Sequence, residues 1–389
     1  MRRVLCRLSV VVLVAGAGLC AHGASAQTRP TDSSGGLVEW MIPAASRRIP
    51  QTPAEEEIGK TRGRPLPQPE LLQPTLDPAL PDYRVRRGLR LAGTFKVSAS
   101  DVLADLVRRW IAGFERDYPR VHLVLSPPFA GSLGAVALAR GQIDAAFVSR
   151  ELRPSDIALF KARYGYPPLS VPVSGGSYRQ FGFLDSIVFV VNKVNPIEQL
   201  SFDQLDRVLS STHARGGEAI TTWGELGLKG KWKDRPIHIY GIQPWNGFEE
   251  FVRQRVLSAD GKRGQWRDGI SFARTVFPIA EEVAGDPDGI GYTGMAFVDA
   301  PVKLVALQAK TNGPAIAPTY ENVASAGYLL SRLVYLNLDK APGKPLPQAL
   351  KQFLLYILSR QGQQKVLEQA IYLPLRAGQA RAGRAMLAP

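Results

Sequence analysis

An α/β fold divided between two lobes is what this sequence predicts, and three observations carry that expectation. The chain has 389 residues, more than one hydrophobic core usually serves. From Leu89 onward short strands and helices alternate, the pattern of parallel sheets with helices on both faces. "SIVFVVN", residues 186–192, is almost wholly β-branched or aromatic, as in a strand covered on both sides. A composition of 45% hydrophobic and 21% charged residues is that of a folded soluble protein and excludes a disordered or fibrous one.

Residues 1–26 read as a cleaved secretory signal: Arg2, Arg3 and Arg7 precede an apolar run from Leu8 to Leu19, and Ala24-Ser25-Ala26 stands before Gln27. The run is too short to span a bilayer. A lipid anchor on Cys20 is disfavoured, because Leu19 is a poor small-residue match. Cys6 and Cys20 are the only cysteines, so the processed chain has neither disulfides nor a thiol nucleophile. The formal charge of +14 favours anionic partners, yet no basic-aromatic motif or recognition helix points to nucleic acid.

Residues 27–88 hold ten prolines, mixed charge and little periodicity, which predicts an extended leader of polyproline character serving as a spacer or a docking arm. The strand "LRLAGT" (89–94) follows. Ser100-Asp101 then caps a helix whose Leu103, Leu106, Val107, Trp110, Ile111 and Phe114 form one buried face. "VHLVL" (121–125) is a strand, "GSLGAVALARGQIDAAFVSR" (131–150) a turn, helix and strand, and "RPSDIALFKARYG" (153–165) a helix opened by proline and stopped by glycine. After 186–192 come a helix at 201–210, strand "PIHIY" (236–240), a helix from Gly247 to about Ser258, strands "GIGYTG" (289–294) and "VKLVAL" (302–307), and two helices across 347–370. There is no internal repeat.

In open α/β sheets the carboxyl ends of strands face a crevice, and helix N-termini there offer unpaired N–H groups to an anion. Gly131, Ser132 and Gly134, the Gly93-Thr94 turn and "WNGF" (245–248) are all of this construction. Singly each is an ordinary cap; together they point to an oxyanion cleft. Enzyme signatures are lacking. "GIGYTG" fits a dinucleotide fingerprint by letter without the strand–turn–helix setting, and there is no phosphate loop or nucleophile elbow. His122, His213 and His238 have no metal-ligand spacing, and Asp144 and Asp185 are explained by turns and caps.

With these pieces in place, residues 89–376 resemble the phosphate-binding proteins of bacterial ABC uptake systems, the PstS-like periplasmic proteins. The matching segments occur in family order: "LAGTFKVSASDVLADLVRRWIAGFERDYP", "GSLGAVALARGQIDAAFVSREL", "SIVFVVNKVNPIEQLSFDQL", Trp223 in "TTWGELG", "DPDGIGYTG", "AGYLLSRLVYLNLDK" and "FLLYILSRQGQQKVLEQAIYLPL". The resemblance implies a two-lobed, type II-like periplasmic binding protein, each lobe a sheet flanked by helices, with ligand in a hinged cleft between them. Lobe 1 is expected at 89–182 and 290–376, lobe 2 at 183–289, and a C-terminal tail at 377–389. It implies no catalysis, metal or cofactor, a monomer in the periplasm, a small anion as ligand and an inner-membrane ABC transporter permease as partner. A divergent sensor or scaffold and a secreted phosphate-ester hydrolase are the alternatives.

The resemblance brings Thr94, Phe95, Lys96, Gly131, Ser132, Ser149, Arg150, Trp245, Asn246 and Gly247 to the ligand. Two departures stand out. The family's first turn is commonly G-S-x-T, where this chain has Gly93-Thr94-Phe95-Lys96. Its third contact is commonly an arginine followed by S-G-T, where this chain has Gly241 and Trp245-Asn246-Gly247. They predict weak binding of phosphate itself and a better fit for a larger or organic anion.

Overall fold

The computed structural model describes residues 47–48, 70–71, 75–86, 88–126, 133–178, 184–244 and 246–388, all within one contiguous unit, Leu37–Pro389. In chain order, β1 (Gly93–Ala99) leads through a 3₁₀ turn at Asp101–Leu103 into α1 (Ala104–Asp117), then β2 (Val121–Leu125), α2 (Leu133–Ala139), β3 (Ala145–Val148), α3 (Pro154–Tyr164) and β4 (Leu169–Gly175). The second group comprises β5 (Ile187–Asn192), β6 (Gln199–Ser201), α4 (Phe202–Leu209), β7 (His238–Ile242), α5 (Gly247–Val252, continued by a π turn at Arg253–Leu257) and β8 (Ser271–Ala273). It continues with α6 (Ile279–Gly285), β9 (Gly289–Gly294), β10 (Val302–Leu304), β11 (Ala306–Gln308) and α7 (Tyr320–Ala324). The chain then returns through β12 (Leu333–Leu338), α8 (Gln348–Ile357), α9 (Arg360–Gln369) and α10 (Ala377–Ala385). Arg47–Arg48 pairs antiparallel with Glu70–Leu71 as a separate short ribbon.

Two five-stranded sheets result. The first has the order β2-β1-β3-β12-β4, the second β8-β7-β9-β5-β10. Each is mixed: β1 runs parallel to β2 and β3 while β12 opposes β3 and β4, and β7 runs parallel to β8 and β9 while β5 opposes β9 and β10. Purely parallel sheets were expected. The antiparallel members are the strands by which the chain enters or leaves a lobe, so their direction is set by the crossing, not by a helical connection.

Local sequence explains the elements that shape each core. In α1 the apolar face is buried as its spacing predicts; Trp110 stacks on Phe147 at 5.6 Å and donates Nε1–H to Gly362 O. All six residues of β5 are buried. α4 starts on a reciprocal cap, Ser201 Oγ accepting from Gln204 N–H while Gln204 Oε1 accepts from Ser201 N–H.

Three expected boundaries differ. β9 pairs with β5 and β7, β10 pairs with β5, and the buried residues from Ile290 to Leu330 share the core of the second sheet. The return to the first sheet is therefore made near 328–333, not at 290. The 377–389 stretch, expected as a tail, contains α10, whose Ala377, Ala380 and Gly383 are buried. The end of the expected leader is also core: Leu76 and Leu80 pack with Ala380, and Tyr83 lies against Phe114 and Tyr356. Arg360 clasps the same stretch through Pro78 O and Asp82. Proline keeps this segment extended but does not stop Leu76, Leu80 and Tyr83 from burying their side chains.

Candidate ligand cleft between the two sheets

Two crossing segments join the lobes, one that includes the described Gly176–Tyr178 and Leu184–Ser186 and the other Tyr328–Arg332, and they bond to each other. Gly176 N–H donates to Arg332 O at 2.7 Å, Ile187 N–H to Leu330 O at 3.3 Å, and the buried Tyr328 hydroxyl to Ile187 O at 3.1 Å. A β-carbon at Gly176 would collide with Leu184 O and lie 2.9 Å from Arg332 O, so only glycine lets the crossings approach this closely.

The carboxyl ends of β1 and β3 open beside these crossings. β1 ends at Ser100, whose N–H donates to Phe147 O and whose buried Oγ has no partner. β3 ends at Ser149-Arg150. Because β12 runs antiparallel to β3, with Tyr335 opposite Val148, the start of β12 brings Ser331-Arg332 alongside Ser149-Arg150. Ser149, Arg150, Glu151, Ser331, Arg332 and Tyr335, with Phe251 from the other lobe, line a cavity of about 10 Å³. That is room for about one water.

Electrostatics divide these groups. Arg150 Nη1 sits 2.8 Å from Asp156 Oδ2 and also donates to Glu151 O, which pins the start of α3. Glu151 accepts from Tyr335 OH at 3.0 Å and pairs with Arg255 of the π turn at 3.2 Å. Arg153 reaches Glu250 of α5 at 4.0 Å. The last two ion pairs therefore cross from the first sheet's loops to the second lobe. Arg332 is half-buried, with its guanidinium carbon 5.6 Å and 5.5 Å from the ring centres of Phe248 and Phe251. Burial pulls its pKa down and Asp185 opposes that. Asp185 is itself fully buried, with Oδ2 accepting from Ala296 N–H at 2.9 Å, and burial pushes its carboxyl up to about 7.

Among the residues expected at the ligand, Ser149 and Arg150 line the cavity. Asn246 serves as a helix cap, Oδ1 accepting from Phe248 N–H at 2.9 Å, and Gly247 follows it as the first residue of α5. Gly131, Ser132 and Trp245 lie outside the described residues. Thr94, Phe95 and Lys96 are in the amino-terminal half of β1, and Lys96 N–H donates to Asp144, the residue just before β3. Ser100 lies four positions beyond Lys96 along the chain, roughly 13 Å, which places the lysine away from the carboxyl end of the strand. Gly241 is inside β7, where a β-carbon would meet the Ile270 and Phe272 side chains at 3.1 Å, so a larger residue there would have to displace them.

Ser100, Ser331, Arg332, Glu151 and Asp185 were not singled out as ligand groups from sequence. Ser100 was read as a cap and Asp185 as a turn residue. Ser331-Arg332 is one of four Ser-Arg pairs in the chain, with 46–47, 149–150 and 359–360, and nothing local separates them. The one cluster with metal-ligand geometry among the described residues, His238, Asp286 and Asp288, is already internally engaged: His238 and Tyr240 bond Asp286, and Arg235 pairs with Asp288. Among the described residues no helix is long and apolar enough to cross a membrane.

The model of the PBP superfamily domain matches residues 86–361. The phosphate-binding protein PstS of Pseudomonas aeruginosa strain PAO1 is 33% identical over 304 residues, covering 78% of this chain and 88% of that protein. Among solved structures, PstS from Borrelia burgdorferi aligns with 73% of this chain and 99% of its own at a TM-score of 0.51 and 15% identity, a likeness of fold. With an identity of that order sustained across most of the Pseudomonas protein, the chain belongs to the PBP superfamily and, within it, to the PstS-type solute-binding proteins.

Proposed function

We propose that this protein captures a small oxyanion, phosphate or a related organic anion, between its lobes in the periplasm and hands it to an inner-membrane ABC transporter. The observation that carries this reading is the meeting of two Ser-Arg pairs in one cavity at the hinge, where the hydroxyl of Ser331 and Nη2 of Arg150 are buried donors without acceptors. Such a set complements an anion and repels a cation. The name of the Pseudomonas relative favours phosphate, and the signal-like N-terminus favours export.

In this reading the moving bodies are 75–176 with 333–388, and 186–330, turning about the paired crossings. Glu151–Arg255 and Arg153–Glu250 close across the mouth. Isothermal titration of the purified protein with phosphate, sulfate and phenylphosphonate tests it. Saturable binding of at least one of them, with a smaller radius of gyration in solution scattering, is the expected result; no heat with any up to millimolar concentration overturns it.

A further inference from the structure

Resting on that reading, we propose that Arg332, backed by Ser331, is the group that takes the ligand's negative charge. Each of the other arginines of the cleft has a carboxylate in ion-pair contact. Arg150 holds Asp156, Arg255 holds Glu151, Arg153 reaches Glu250, and Arg253 holds both Glu249 and Glu250. Arg332 has no carboxylate in ion-pair contact among the described residues, and its Nε–H is buried without an acceptor. Asp185 is its nearest opposing charge and acts on it at longer range.

A half-buried cation without a contact partner is an unfavourable arrangement unless something supplies the counter-charge. The phenyl faces of Phe248 and Phe251 hold the guanidinium but bring no hydrogen-bond acceptor. Ser331 is the second, independent sign: it is 8% exposed, its Oγ has no partner, and it lines the same cavity. A guanidinium and a hydroxyl side by side suit two oxygens of one oxyanion, and the guanidinium's fork distinguishes it from an ammonium. Position 241 is a glycine and offers no side chain, and its β-carbon direction faces Ile270 and Phe272. Because Arg332 also accepts the Gly176 N–H through its backbone, an anion held by its side chain is held at the hinge itself.

The test is titration of inorganic phosphate into wild type, Arg332→Gln, Arg332→Lys, Ser331→Ala and Lys96→Ala, each first shown to unfold cooperatively. Arg332→Gln is expected to weaken phosphate roughly 10- to 100-fold, Arg332→Lys about 10-fold and Ser331→Ala by less, while Lys96→Ala binds as wild type. The rise in melting temperature that phosphate gives the wild type should shrink in the same order, a readout that a merely structural role does not move. If Arg332→Gln does not fold, Arg332→Lys decides. Wild-type affinity in a folded Arg332 variant overturns this assignment and leaves the oxyanion reading standing; a wild type that binds no oxyanion removes the reading itself.

Discussion

Arg150 and Arg332 each follow a serine, and the sheet sets them side by side, yet they are held in opposite ways. Arg150 has Asp156 at 2.8 Å, inside its own lobe. Arg332 has two aromatic faces and, at longer range, Asp185, across the crossing between lobes. A cation whose partner comes from its own helix start contributes to stability; one left open where two bodies meet is available to a third component. The same dipeptide therefore serves as a pin in one place and as a docking point in the other, and only the neighbouring carboxylate distinguishes them.

The strongest way to break this contrast is to remove each cation without ligand present. Arg150→Ala should strand the buried Asp156 and lower stability by about 3 kcal/mol, the lower end for a broken buried pair. Arg332→Met should change stability by no more than about 1 kcal/mol, or raise it. Urea unfolding curves that show equal losses at both positions would erase the distinction.

Asp185 sharpens it next. Its carboxyl stands near 7 in the folded protein against an ordinary value of 3.8, so the folded state holds a proton that the unfolded chain has released. Stability from this group is therefore fully present below about pH 4 and is lost as pH rises towards 7. Asp185→Asn should remove that slope, measured by urea unfolding of both proteins at several pH values.

Glu151→Gln takes away the pair with Arg255 across the cleft mouth. Both side chains are more than a third exposed, so the loss should be under about 1 kcal/mol and should fade in high salt. Unliganded protein should become slightly more expanded in solution scattering. The smallest effect belongs to Lys96→Ala, whose unfolding midpoint should match wild type because the side chain is exposed and far from the cavity.

Much of the fold was legible because its signals are local. The apolar face from Leu103 to Phe114 and the β-branched run from Ile187 to Val191 each specify an element regardless of what lies elsewhere. The partners of a strand are another matter. "GIGYTG" reads as a strand on its own, but its membership of the second sheet depends on pairing with Ile187–Val191 and His238–Tyr240, residues about 50 to 100 positions away. The site was legible to the extent that a strand's end was. Ser149-Arg150 closes a short strand bounded by the exposed Asp144 and was found. In "GTFKVSAS" the strand runs on to Ala99, which shifts the crevice end from Thr94 and Lys96 to Ser100. Arg332 shows no sign in sequence at all, because what singles it out is the missing carboxylate, a property of its surroundings.

The burial of Leu76, Leu80 and Tyr83 fixes a point of attachment. These residues and Arg360 weld the chain at 75–83 to the first lobe, against α9 and α10, on the body that contains β1 to β4 and β12. Any load carried by the chain upstream of Thr75 is therefore transmitted to that lobe, which becomes the fixed frame. The second lobe, joined to it among the described residues through the two crossings and the contacts across the cleft, is the part that would swing in the proposed capture. Where the leader is held, the proposed capture would be a motion of residues 186–330 against a stationary base, and the surface that reports occupancy to a partner would be the one whose position relative to the anchor changes.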